Sequence, residues 1–287
     1  MSPPLWQPSP EEKEKTLLTH FSHKIQQKYN LQNIEYSTLH QWSIEFPELF
    51  WEEVWRDCEV RCSVPWDKVM SKKGFGEKIG TESSGWFTGT RLNFAENLLA
   101  QGKSENEALC FIGEDGSTRS LSYADLRKVV AQCASGLKAL GVTENDRVAA
   151  VLPNCPEAVI GMLAAASLGA IWSSCSPDFG INGIYDRLGQ ISPKILITVN
   201  AYNYNGKEHQ CMDKIREISR RISSIEAVVV AAFTETPMEL QGKEQHWEAL
   251  LDTSAAPLEF AQLPFDHPLY ILYSSGTTGL PKSIVHG

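Results

Sequence analysis

Arg147-Val-Ala-Ala-Val-Leu-Pro-Asn-Cys-Pro-Glu-Ala-Val-Ile-Gly-Met-Leu-Ala-Ala-Ala-Ser-Leu-Gly-Ala-Ile-Trp-Ser-Ser174 decides the fold. Arg147 to Leu152 reads as a short apolar strand, Pro156 to Leu168 as an alanine-rich helix, and Ala170 to Ser174 as a second strand. Upstream, Ala108 to Ile112 and Arg119 to Leu121 flank Glu114-Asp115-Gly116, a hairpin turn. Ser122 is a suitable N-cap for a helix running to Leu140, and Gly141 suits its end. Downstream the spacing predicts a helix from about Ile181 to Ile191, a strand Lys194 to Val199, a helix Lys207 to Ile222 and a strand Ala227 to Ala232. Strands apolar throughout, separated by amphipathic helices, mean an α/β protein with a parallel sheet covered on both faces.

Towards the N-terminus, Glu11 to Tyr29 and Ser37 to Cys58 have helical patterns, with Pro47 opening a second helix after a break. Trp42, Phe46, Phe50, Trp51 and Trp55 form an apolar stripe expected to pack this leader onto the body. Ser63 to Thr90 reads as an extended wrapping segment, because Trp66, Trp86 and Phe87 need burial, and Leu92 to Leu99 as a short helix. At 287 residues the chain is long enough for a large core. Its net charge of −9, without a sustained run of one sign, argues against nucleic-acid or anionic-membrane partners. Ala158 to Ser174, the most apolar stretch, is too short to span a membrane, and Met1 to Lys15 has no signal-peptide pattern, so the expected address is the cytosol. The seven cysteines are scattered without zinc spacing and are read as reduced, buried thiols, with no metal ligand among them.

The chemistry lies in Pro268-Leu-Tyr-Ile-Leu-Tyr273, a buried-strand pattern, followed at once by Ser274-Ser-Gly-Thr-Thr-Gly-Leu-Pro-Lys282. Glycines let backbone N–H groups approach phosphate oxygens, hydroxyls add donors, and a lysine adds positive charge, so this loop fits a nucleoside triphosphate. It is not a Walker A loop: Gly276 and Lys282-Ser283 have the outer spacing, but Pro281 stands where the second glycine must be.

At these residues the sequence resembles the adenylate-forming, acyl-activating enzymes, whose hydroxyl-rich Ser-Gly-Thr-Thr-Gly-x-Pro-Lys signature is matched from Ser274 to Lys282. Trp86-Phe-x-Gly-x-x-Leu-Asn-x-Ala-Glu-Asn-Leu-Leu99 is similar to the N-terminal region of the acetyl-CoA synthetase branch. Ile171-Trp-Ser-Ser-Cys-Ser-Pro-Asp-Phe-Gly180, Tyr204-Asn-Gly-Lys-Glu-His209 and Gln262-Leu-Pro-Phe-x-His-Pro-Leu269 look most like the acetoacetate-activating ligases within it. The resemblance implies residues 1–100 as a leader and 101–287 as the start of an AMP-binding domain, in a truncated large domain of mostly parallel sheets flanked by helices. It further implies activation of acetoacetate by ATP through an acyl-adenylate, then thioester formation with CoA. Carried onto matching positions, ATP phosphates fall to Ser274, Ser275, Gly276, Thr277, Thr278, Gly279 and Lys282. Mg2+ comes with the nucleotide, and no ligand for it is assigned.

Several polar residues carry weaker readings. Lys207 and His209 are read as a solvated helix start or as neighbours of the CoA phosphates, and Asp178 as a helix N-terminal carboxylate or a ligand contact. Asp146-Arg147 reads as a structural pair, and His286 stands where the family has a histidine. Family members continue beyond the equivalent of Gly287, so the acyl pocket, the adenine contacts and the catalytic residues are expected outside this chain, which is expected to be inactive alone. The rival readings are a ligase for another short acid such as acetate or propionate, an adenylating module that passes its acyl group elsewhere, and a non-catalytic nucleotide-binding isoform.

Overall fold

The computed structural model describes residues 5–71, 85–252, 254, 257–274 and 279–287. The chain divides into two compact units, residues 1–60 with 66–88, and residues 61–65 with 89–287.

The first unit is helical. Helices α1 (Pro10–Glu14), α2 (Leu17–Tyr29), α3 (Tyr36–Glu45) and α4 (Pro47–Asp57) precede an antiparallel pair, β1 (Lys68–Met70) and β2 (Trp86–Thr88). The expected first helix is split, because the Thr16 hydroxyl caps a fresh start at Leu17 by accepting from the Thr19 N–H. Phe21, Ile25, Leu39 and Trp42 form the core. The aromatic stripe divides: Trp55 is buried against Phe87, with ring centroids 4.4 Å apart, whereas Phe46 and Trp51 are largely exposed. Glu53, also buried, is matched by the Lys28 ammonium and the Tyr29 hydroxyl, so its charge is not left unpaired.

The second unit holds β3 (Arg91–Leu92), α5 (Phe94–Ala100), the hairpin β4 (Glu107–Ile112) and β5 (Thr118–Ser122), α6 (Tyr123–Ala139), β6 (Arg147–Val151), α7 (Pro156–Ser167), β7 (Ile171–Cys175) and α8 (Ile181–Leu188). It continues through β8 (Ile195–Val199), β9 (Ala201–Tyr204), β10 (Lys207–Gln210), α9 (Met212–Arg221), β11 (Ala227–Ala231), β12 (Glu244–His246), α10 (Trp247–Leu250), β13 (Leu263–Pro264), β14 (Tyr270–Ser274) and β15 (Lys282–His286). Leu92, expected in a helix, lies in β3 and pairs with Leu263 of β13, and Asn93 caps α5.

The main sheet has the order β12-β11-β8-β6-β7-β14-β15, parallel except for antiparallel β15. β6 leads to β7 on one side, and β7 crosses back to β8 on the other. Right-handed crossovers therefore put α7 on one face and α8 and α9 on the other. β6, β8 and β11 are buried on both faces, as their unbroken apolar runs require. Ser122 caps α6 through a capping box with Asp125, and α6 ends before Gly141, whose φ is +79°. At Gly136 a Cβ would lie 1.9 Å from the Leu250 carbonyl oxygen, so only glycine lets α6 and α10 approach this closely.

Two further expectations need correction. Lys207 to Gln210 is not the first turn of a helix but strand β10, paired antiparallel with β9 across Asn205-Gly206, where both residues have positive φ. Nor is β14 fully buried: Ile271 is 5% exposed, but Leu272 is 49% exposed.

Candidate functional site

The second unit brings two polar features to one edge of its sheet, the carboxyl ends of the parallel strands. In open α/β sheets ligands bind at that edge, beside the point where the strand order reverses. Here the reversal lies between β6 and β8.

A cavity of about 530 Å³ lies at this edge, beside the reversal and over the ends of β6 and β7. Its floor is the chain leaving β6 (Leu152, Pro153, Asn154) and β7 (Ser174 to Asp178), and Phe111, Tyr202, Tyr204 and Phe233 supply aromatic walls. Each wall is held. The Arg119 guanidinium lies 5.2 Å from the Phe111 ring centroid and is fixed by a bidentate pair with Glu157 at 2.6 and 2.9 Å. Buried Asn200 accepts from the N–H groups of Phe233 and Thr234 and donates to the carbonyls of Thr234 and Thr236, fixing the turn that carries Phe233.

Asp178 does not cap a helix, since α8 begins after Gly180. Its carboxylate accepts from the Ser176 hydroxyl at 2.8 Å and the Tyr202 hydroxyl at 2.8 Å. Those two donors hold the Asp178 carboxyl below the usual carboxylate range, while burial, then the bond to Asp178, raise the Tyr202 phenol. The lining thus carries a fixed negative charge at Asp178, with Glu114 and Asp115 nearby. Burial pushes the thiols of Cys155 and Cys175, at the ends of the loops that feed the cavity, up to about 12. They remain protonated at neutral pH and are not poised as nucleophiles.

The second feature is the end of β14. Parallel pairing with β7 brings Ser274 out at the same edge as Cys175. Lys282 opens β15, and its backbone is the register partner of Ser274, so the two ends of the glycine- and hydroxyl-rich stretch meet. Both residues are exposed. Gly279 has a φ of +107°, which a side chain would strain. Ser275, Gly276, Thr277 and Thr278 lie outside the described residues. A lysine and a serine hydroxyl converging where a parallel strand ends can hold the oxygens of a polyphosphate.

Lys207 and His209 lie on the β9–β10 hairpin, with the His209 ring stacked 5.2 Å from that of Tyr202. Asp146 and Arg147 are structural, but with different partners. Asp146 accepts from Thr143 and Lys194, whereas Arg147 donates to the carbonyls of Asn145, Ile191 and Ser192. His286 is the register partner of Tyr270. Of the cavity walls, Tyr204 stood in a motif quoted for the resemblance, whereas Phe111, Tyr202 and Phe233 were not singled out; the usable signal was their position at or just beyond the ends of predicted strands.

The sequence model of AMP-binding enzymes matches residues 98–287, and that of the acetyl-coenzyme A synthetase N-terminus matches residues 36–98. The chain belongs to the AMP-binding enzyme family. Among curated relatives, Acetoacetyl-CoA synthetase of Xenopus tropicalis is 39% identical over 96% of this chain and 42% of its own length. Malonamoyl-CoA synthetase of Penicillium aethiopicum is 41% identical over 93% of this chain and 38% of its own. The solved structure of Acetoacetyl-CoA Synthetase from Streptomyces lividans superposes with a TM-score of 0.89 at 37% identity, covering 99% of this chain and 43% of that one. The chain therefore spans less than half the length of these relatives, and the α/β fold with its mostly parallel sheet is that of their matching part.

Proposed function

We propose that this AMP-binding family member supplies the phosphate-binding part of an acid–thiol ligase acting on acetoacetate. The observation that carries the reading is the meeting of Ser274 and Lys282 at the carboxyl edge of the sheet, at the ends of the loop whose sequence matches the family signature. In the first step an acetoacetate carboxylate oxygen attacks the α-phosphorus of ATP, and the bond to the bridging oxygen breaks to release pyrophosphate. In the second the CoA thiolate attacks the acyl carbon and expels AMP. The role of this chain lies in the first. Lys282 and the loop from Ser274 to Gly279 hold the β- and γ-phosphates and offset the charge that builds on the departing pyrophosphate.

The cavity beside β6 and β7 suits the adenine end of CoA, because its aromatic walls accept a flat ring. Its carboxylates disfavour phosphate inside it, so the CoA phosphates lie outwards, towards Lys207 and His209 on the hairpin. Among the described residues no group of three or more histidines, cysteines or acids could hold a metal. Mg2+ would enter with the nucleotide, offsetting phosphate charge. Among the described residues no helix is long and apolar enough to cross a membrane, and the reading places the enzyme in the cytosol.

Acetoacetate rests on the names of the relatives, and the malonamoyl relative makes a neighbouring acid the alternative. Pyrophosphate exchange into ATP, measured on the full-length gene product with acetoacetate, malonamate, acetate and propionate in turn, separates these readings. Exchange is expected with acetoacetate, and Lys282→Ala should lower it about a hundredfold. Exchange with another acid alone would move the substrate, whereas none with any acid would remove the ligase reading.

A further inference from the structure

Resting on the assignment of Lys282 to the ATP phosphates, we propose that Gln190 is a positioning residue for that lysine. Gln190 follows the last turn of α8, far from Lys282 in sequence. Its side-chain amide donates one hydrogen to the Asp186 carbonyl and the other to the Pro281 carbonyl, the latter at 2.8 Å. Pro281 has no N–H, so that carbonyl is its one backbone hydrogen-bonding group. The bond therefore fixes the peptide that leads directly into Lys282.

The donor itself is rigidly placed. The Gln190 N–H donates to the Arg187 carbonyl at 3.2 Å, and the Ile191 N–H to that of Leu188 at 3.2 Å. Arg147, opening β6, clamps the next two residues from the other side by donating to the carbonyls of Ile191 and Ser192, each at 2.8 Å. Gln190 thus sits on a turn anchored to the central strand of the sheet, and its amide carries that anchorage to the start of β15.

On its other side Lys282 is tied by pairing with Ser274. The lysine backbone is thereby referenced both to β14 and, through Gln190, to α8 and β6. Attraction between an ammonium and a polyphosphate weakens with distance, so a start of β15 free to wander is populated less often in the binding-competent position. The role is not one of holding the strand on: β15 has five register pairs with β14, and the Gln190–Pro281 bond is exposed. Losing it should leave stability nearly unchanged while loosening the placement of one charge.

The test is a calorimetric titration of this 287-residue chain with magnesium tripolyphosphate, using wild type, Gln190→Met, Lys282→Ala and the double variant. Methionine matches the length of glutamine without a donor. Gln190→Met is expected to raise Kd about fivefold, the size of one ordinary hydrogen bond, with the melting temperature held within about 1 °C. Because Gln190 acts through the lysine, the double variant should bind no more weakly than Lys282→Ala alone. Unchanged affinity in Gln190→Met beside weakened Lys282→Ala, or additive losses in the double variant, overturns this inference and spares the phosphate assignment. No binding by wild type, or equal binding by wild type and Lys282→Ala, removes the phosphate assignment and this inference with it.

Discussion

Asn93 joins three parts of the second unit that the chain order keeps far apart. Its side-chain oxygen accepts from the N–H groups of Ala95 and Glu96 to start α5. Its amide donates to the carbonyls of Ala166 and Ala261, both at 2.9 Å. The side chain is 1% exposed, so Asn93→Ala removes a donor from the Ala261 carbonyl and one of two donors from that of Ala166, and uncaps a helix start, all at once. It should cost about 3 kcal/mol, read as a lower urea midpoint with an unchanged slope. Asn93 stood inside the motif that marked the family, yet its task was not legible there, because its partners are main-chain atoms that only the folded chain brings near. The Tyr202–Asp178 bond was hidden for the same reason, whereas a phosphate role for Ser274 and Lys282 can be proposed from sequence because it rests on residue types within one local stretch.

Between elements, the pair of Arg119 on β5 with Glu157 in the first turn of α7 sets how the hairpin meets the sheet. Burial pushes the Glu157 carboxyl up, and the Arg119 guanidinium more than offsets this, leaving it below its ordinary range. Its folded pKa is thus below its unfolded one, and its contribution to stability is present above the unfolded value and lost as the pH falls through the folded value. Glu157→Gln should therefore cost about 2 kcal/mol at pH 7, with the gap to wild type closing as the pH falls below the ordinary carboxylate range, as followed by urea midpoints. Secondary structure was largely readable at this scale, since apolar runs mark β6, β8 and β11 and Ser122 and Gly141 bracket α6. The exception is instructive. The amphipathic period of α9, with Met212, Ile215 and Ile218 buried, invites extension backwards through polar residues that carry no period of their own. Asn205-Gly206, a dipeptide suited to positive φ at both positions, was the signal for a tight hairpin there.

At the scale of this 287-residue chain, β15 closes the strand order among the described residues, and the face it shares with β14 exposes Leu272 and its register partner Ile284 at 49% and 44%. An apolar edge of this kind invites pairing with another chain. Purified chain should self-associate as its concentration rises, and the double substitution Leu272→Lys with Ile284→Lys should suppress this in light scattering. Equal scattering from both proteins would show the edge to be harmless. This exposure could not be read from Pro268 to Tyr273, because an apolar run specifies a strand but not which of its faces is covered.

The strand order also fixes a sequence of assembly. Strands β6, β7, β8, β11 and β12 all lie between Arg147 and His246 and form a contiguous sheet among themselves. On a ribosome, that sheet can close before β14 has been made, because short loops close more readily than long ones. β14 then arrives late at a finished surface, docking on β7 through a Trp172 N–H to Leu269 carbonyl bond of 3.0 Å and a Ser173 hydroxyl to Ile271 carbonyl bond of 2.9 Å. β14 is therefore fitted to a sheet whose five preceding strands are already paired.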